Sequence, residues 1–232
     1  RGILYYLVPT TLLSLCDSCI GGKTSINYKD KKNLIGTFYP PKEVLIYSKF
    51  VNTLTKEDYY SGIGEIFKFY CLQNKIFQFN ILMPSLLKRE NIHETILQCL
   101  KYKGEIIEID EFDQKERKLL NFGHTFGHAI ESTSNFVIPH GSSVILGILI
   151  AYSISFYLEK VTTEQVNSIF EVGTKLIEHI EYKKDWFDFD LLLYYIKSDK
   201  KNTGTINMVL PDNDKFELFP ISEEQLKKGY SV

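Results

Sequence analysis

From Arg117 to Glu131 the chain reads RKLLNFGHTFGHAIE, and the Gly-His pair at 123–124 recurs four residues later at 127–128. At 3.6 residues per turn that interval sets His124 and His128 on one helical face. It also leaves Gly123 and Gly127 as a bare strip that something can approach closely. Only five histidines occur in 232 residues, and a third falls nearby at His140 in IPHGSS. Three imidazoles near one point suggest a metal or a proton-transfer site; the alternative is polar side chains satisfied by their neighbours. Two imidazoles alone are too few for catalytic zinc, which takes about three protein ligands and keeps one position open.

Hydrophobic residues at 44% and charged residues at 24% are ordinary for a globular chain. A formal charge of -2 argues against a general nucleic-acid binder, which carries a basic excess. The longest apolar run, Val144 to Leu158, contains Ser153 and Ser155 and falls short of the roughly 20 residues a membrane span needs, so it is predicted to be a buried helix. The opening RGILYYLVPTT has no basic-then-apolar signal, which predicts a cytoplasmic location. Cys16 and Cys19 form a C-x-x-C, but Cys71 and Cys99 stand alone, so no second pair completes a zinc site and reduced thiols are expected.

In chain order, Ile3 to Val8 is an uninterrupted apolar run ending at Pro9, predicted to be a fully buried parallel strand. With no partner strand before it, the chain is expected to start in the middle of a sheet. Gly21-Gly22-Lys23-Thr24 offers backbone amides and a point charge suited to phosphate, although not in Walker spacing. Lys31-Lys32-Asn33 and Asp199-Lys200-Lys201-Asn202 read as further basic turns, and Glu43 to Tyr47 as a strand after Pro40-Pro41. A helix capped by Thr55 carries Glu65 and Lys68 on one face, where a lone pair would be a solvated ion pair of little weight. Helices are predicted at about 75–88, 92–110, 117–134, 142–159 (capped by Ser142 or Ser143), 162–180 and 185–197. Thr205 to Leu210 and Lys215 to Phe219 read as a hairpin around Pro211-Asp-Asn-Asp.

Taken together, the segments VPTTLLSLCDSCIGGKTSIN, KKNLIGTFYPP, GIGEIFKFY, LLNFGHTFGHAIES and PHGSS resemble the 3-dehydroquinate synthases, in register from Arg1 to the Asp199–Asn202 turn. The resemblance implies a mostly α fold: the C-terminal helical metal- and substrate-binding domain of a two-domain α/β plus α enzyme, with a remnant of the N-terminal parallel sheet. Residues 1–50 would be the remnant of the Rossmann-like NAD-binding domain with the phosphate loop, and 51–232 the helical domain. No G-x-G-x-x-G occurs, so the NAD pyrophosphate loop is expected to be missing, and this chain alone is expected to bind metal but not turn over.

By the same resemblance Glu65, His124 and His140 match the ligands of Zn2+ (or Co2+), which makes His128 a substrate or proton-transfer residue. Lys23, Asn33, Lys68, Lys103, Arg117, Asn121, Lys200 and Lys201 match positions that hold the substrate's phosphate, carboxylate and hydroxyls, with Arg1 reaching a neighbour's substrate across a homodimer. Thr10, Thr11, Asp17, Lys32, Phe50, Thr53 and Leu54 match the lining of the NAD pocket. The implied substrate is a small sugar-acid phosphate, 3-deoxy-D-arabino-heptulosonate 7-phosphate. Transient oxidation by NAD, phosphate elimination, re-reduction and aldol closure would give 3-dehydroquinate; neither nucleic acid nor membrane is involved. Other sugar-phosphate cyclases, and glycerol dehydrogenase-like alcohol dehydrogenases, share the scaffold. The lysines at 23, 103 and 200–201 separate the latter, since an uncharged polyol has no need of them. Where the family usually has Glu after His-Gly, Ser142 stands here, a missing carboxylate that would alter the metal's surroundings or the helix N-terminus.

Overall fold

The computed structural model describes residues 2–28, 31–199 and 206–231, with the side chains of residues 27, 31–34 and 199 excepted. These residues form two compact units, one of 1–66 with 82–117 and one of 67–81 with 118–232.

The first unit holds a parallel pair, β1 (Tyr6–Leu7), and a hairpin, β2 (Ile26–Tyr28) with β3 (Lys31–Ile35); β1 pairs with β4 (Glu43–Val44). It also holds a π-helical turn at Ser14–Ser18 and a 3-10 turn at Ser48–Thr53. The buried strand predicted over Ile3–Val8 is not found: pairing is limited to two residues, and Ile3, Leu4, Tyr6 and Val8 are exposed. Apolar side chains on a strand are covered only when further layers pack on both faces, and among the described residues β1 pairs with β4 alone. Lys31-Lys32-Asn33 is likewise not a turn but part of β3.

Helix α1 (Lys56–Leu72) contributes residues to both units; its start is capped by Thr55, whose Oγ1 accepts the Asp58 N–H at 3.1 Å. Helix α2 (Ile76–Leu87) does the same, and α3 (Ile92–Ile109) completes the first unit. Leu12, Leu15, Tyr59, Ile63, Leu86 and Ile96 are its core. The Tyr59 hydroxyl donates to Leu86 O at 2.6 Å, and Arg89 donates to Val51 O and Leu54 O, so a buried polar set ties the 3-10 turn to the helices.

The second unit is built around α5 (His140–Tyr157), packed by α4 (His124–Thr133), α6 (Thr163–Ile177), the hairpin of β5 (Ile206–Asp212) with β6 (Lys215–Ile221), and α8 (Glu223–Tyr230). Helix α7 (Phe189–Asp199) lies against α4. Helix α5 is long and apolar enough for a membrane span, but 67% of it is buried inside the chain, as a core helix surrounded on all sides should be. Capping boxes at Thr162 with Gln165 and at Ser222 with Gln225 fix the starts of α6 and α8. Ser142 and Ser143 do not cap α5. The helix begins two residues earlier, at His140, with Pro139 in extended conformation as its N-cap, and both serines are buried within it.

Candidate metal centre and anion-binding loops

The single helix predicted over 117–134 is broken. A 3-10 turn covers Glu116–Asn121, and Gly123 at φ +75 halts it, so that α4 starts afresh at His124. What approaches the glycine strip is the backbone of α5. A Cβ on Gly147 would lie 1.9 Å from Gly123 O, and one on Gly127 would lie 3.2 Å from Ser143 O. Three glycines therefore bring α4 and α5 into backbone contact. After α4 the chain turns through Asn135 and Phe136, both at positive φ, with Phe136 N donating to Glu131 O at 2.7 Å.

This crossing brings three imidazoles of the second unit together, edge to face or tilted. Ring centroids lie 5.3 Å apart for His124 and His128, 5.4 Å for His124 and His140, and 6.0 Å for His128 and His140. His124 Nδ1 is 3.0 Å from Phe122 O, and His140 Nδ1 is 3.2 Å from the carboxylate of Glu131, itself buried. An Nδ1–H that donates to such an oxygen makes Nε2 the ligating atom, the arrangement found for imidazoles that bind metals. The donor chemistry of His124 and His140 thus fits a divalent cation. His128, Glu131 and His140 also present ligand atoms within 4.8 Å of one another, a second possible set. Glu131 was not singled out in the sequence, although its spacing from His124 and His128 places all three on one helical face. It supplies a carboxylate beside His140.

Lys68 and Asn121 also belong to the second unit; Lys68 is 1% exposed and Asn121 exposed. Glu65 belongs to the first unit and is likewise 1% exposed, so the reading of Glu65 and Lys68 as solvated surface charges is overturned. Charges so buried need compensating partners or a cation.

The anion-binding candidates of the first unit cluster. Arg117, 3% exposed, donates through its guanidinium to Gly21 O at 2.9 Å and to Glu111 O. Gly21, at φ +101, has room for no side chain there, since a Cβ would lie 2.1 Å from Arg117 Nη2. Lys23 Nζ meets Asp113 at 2.5 Å. Lys103, buried on α3, reaches both the carboxylate of Asp17 at 2.5 Å and its carbonyl at 2.6 Å. Asp110 organises this corner: its carboxylate accepts the N–H groups of Gln114, Lys115 and Arg117, which hold it below the usual carboxylate range.

Of the residues matched to an NAD pocket, Thr10 and Thr53 are exposed, Thr11 bonds Ser14 at 2.8 Å, and Phe50 packs edge-on to Tyr47. Leu54 is half-buried and Asp17 is engaged by Lys103. Arg1, Lys200 and Lys201 lie outside the described residues, as do the side chains of Lys32 and Asn33, whose backbones run in β3. The Cys16-x-x-Cys19 thiols are buried and not joined in a disulfide, and burial pushes Cys19 up to about 11.

The fold and this donor set define a helical domain able to hold a divalent cation, in a chain whose loops also gather Lys23, Lys103 and Arg117. The profile of the 3-dehydroquinate synthase C-terminal domain matches residues 62–202, and that of the N-terminal domain matches residues 1–61. The chain belongs to the 3-dehydroquinate synthase family. It is 38% identical over 235 residues to the 3-dehydroquinate synthase of Clostridium tetani, covering 99% of this chain and 62% of the relative. It is 39% identical over 224 residues to that of Dictyoglomus turgidum, covering 91% and 60%. The chain therefore spans about three fifths of the relatives it matches.

Among solved structures, 2-epi-5-epi-valiolone synthase from Streptomyces hygroscopicus, with NAD+ and Zn2+ bound, superposes with a TM-score of 0.86 at 20% identity, over 97% of this chain and 65% of that one. A 2-deoxy-scyllo-inosose synthase complexed with carbaglucose-6-phosphate, NAD+ and Co2+ gives 0.85 at 23%, over 98% and 66%. At such identities the likeness establishes the fold.

Proposed function

We propose that this chain is the metal- and substrate-binding portion of a 3-dehydroquinate synthase, with 51–232 as its helical domain and 1–50 continuing an NAD-binding domain. The enzyme converts 3-deoxy-D-arabino-heptulosonate 7-phosphate to 3-dehydroquinate and inorganic phosphate, in the cytoplasm and as a homodimer. The observation that carries the reading is the trio of imidazoles at the α4–α5 crossing, in segments the family profile covers, two of them with Nδ1 beside an oxygen.

Glu65, His124 and His140 are proposed as ligands of Zn2+ or Co2+, the carboxylate assigned by its family position in GIGEIFKFY. When bound, the cation supplies a Lewis acid and NAD a reversible oxidant. This chain's own residues do the rest. Lys23, Lys103 and Arg117, with Asn33, Lys68, Asn121, Lys200 and Lys201, grip the anionic ends and hydroxyls of the substrate and so align its reacting carbons. Arg1 serves the neighbouring protomer's substrate. His128, outside the ligand set, is the imidazole assigned to proton transfer. Thr10, Thr11, Asp17, Lys32, Phe50, Thr53 and Leu54 line one wall of the NAD pocket.

The test is release of inorganic phosphate from the heptulosonate phosphate by a full-length protein containing this chain, with NAD and zinc added. Equimolar phosphate and 3-dehydroquinate are expected. The 232-residue polypeptide alone is expected to bind zinc without turnover. Absence of phosphate release, with NAD-linked oxidation of glycerol in its place, would overturn the assignment.

A further inference from the structure

Asp113 lies in the segment between α3 and Arg117, and three observations set it apart. Its Oδ2 meets Lys23 Nζ at 2.5 Å, joining residues 90 positions apart in sequence. Its backbone is in the left-handed region, φ +59, which a non-glycine residue occupies at a disadvantage. Its other oxygen, Oδ1, is buried with no hydrogen-bond partner among the described residues, a second destabilising feature. The flanks are fixed: Asp110 binds the amides of Gln114, Lys115 and Arg117, Arg117 is anchored on Gly21, and Phe112 packs edge-on to Phe38 at 5.5 Å. The loop thus presses a carboxylate onto the lysine of the glycine turn. A cavity of about 280 Å³ opens beside that turn, lined by Gly21, Gly22, Phe38, Pro40, Glu108 and Glu111.

We infer that Asp113 is a built-in competitor for Lys23: its carboxylate and an anionic group of the substrate exclude one another at that ammonium. This rests on the proposed role of Lys23 as an anion-binding residue. The consequence is selectivity. A singly charged carboxylate already holds Lys23, so an incoming group gains most when it carries two charges, as a phosphate ester does, and least when it is neutral or singly charged. Displacement is eased because leaving Lys23 lets the orphaned oxygen of Asp113 reach water.

The experiment is isothermal titration of the chain with inorganic phosphate at low ionic strength, for the wild type, Asp113→Asn, Asp113→Gly, Lys23→Met and Lys23→Met with Asp113→Asn. Asp113→Gly relieves the positive φ and guards against a folding defect. Both Asp113 variants are expected to bind phosphate about two- to five-fold tighter, the range of a partly exposed ion pair. The gain should vanish in the Lys23→Met background. Unchanged or weaker binding by the Asp113 variants refutes the competitor role, since an orienting carboxylate would weaken binding when removed. If Lys23→Met leaves the wild-type affinity intact, the anion-binding role of Lys23 fails, and the inference with it.

Discussion

Replacing Gly147 by alanine tests how the imidazole cluster is built. The added Cβ would lie 1.9 Å from Gly123 O and 2.9 Å from Gly127 N, and both obstructing atoms are backbone, so neither can rotate aside. To restore an acceptable contact α4 and α5 must move apart until that 1.9 Å reaches at least 3.0 Å. Overpacking of this kind costs about 1–3 kcal/mol, and immovable backbone on the far side points to the upper end. For a chain of this size that lowers Tm by about 4–12 °C. The same displacement parts His124 from His140. Metal–ligand distances tolerate only about 0.2 Å, so zinc affinity should fall on the order of ten-fold or more. Gly104→Ala is the control: nothing lies within 4 Å of its Cβ, it sits inside α3, and a gain of about 0.5–1 kcal/mol is expected. Thermal denaturation and competition with a chromophoric zinc chelator read both quantities. If Gly147→Ala melts with the wild type and binds zinc as well, the close crossing is not what positions the histidines.

Two further outcomes follow from charges and thiols. Lys160 bridges Asp212 at 2.5 Å and Glu217 at 2.9 Å; hydrogen bonding to Asp212 raises the lysine, and the same bond lowers Asp212. The Asp212 contribution is present above the ordinary carboxylate value and lost as pH falls through its depressed one; that of Lys160 is present below its ordinary value and lost as pH rises through its raised one. Lys160→Met should therefore lower urea midpoints between about pH 5 and 10 and converge with the wild type at both extremes; a constant offset across all pH contradicts this. All four cysteines are buried, with the Cys19 thiol pushed up to about 11 and Cys71 also raised. At pH 8 an aromatic disulfide reagent should label none within minutes and all four after denaturation, and serines at 16 and 19 should leave zinc content unchanged.

The helical body was legible in the sequence because helices such as α3 and α6 carry one apolar face, because Thr55 marks a start, and because the run that becomes α5 is apolar throughout. The imidazole cluster was legible because two of its members share one helical interval. Its true construction was not: periodicity continued across Phe122-Gly123, and only the approach of α5 explains why the helix breaks there. Ile3 to Val8 misled for a related reason, since an apolar run signals burial only if further strands cover it. Asp110, Asp113 and Glu131 escaped notice because their partners come from turns and long-range packing. Asp113 meets a lysine 90 residues away, and no local pattern encodes that.

The most direct measurement is an anomalous difference map from crystals of the chain grown with zinc. A single peak about 2.0–2.1 Å from Nε2 of both His124 and His140, with a Glu65 oxygen at about 2.0–2.2 Å, is the expected result. A peak on His128, Glu131 and His140, or none at the imidazoles, would contradict the ligand assignment and remove the basis of the proposed chemistry.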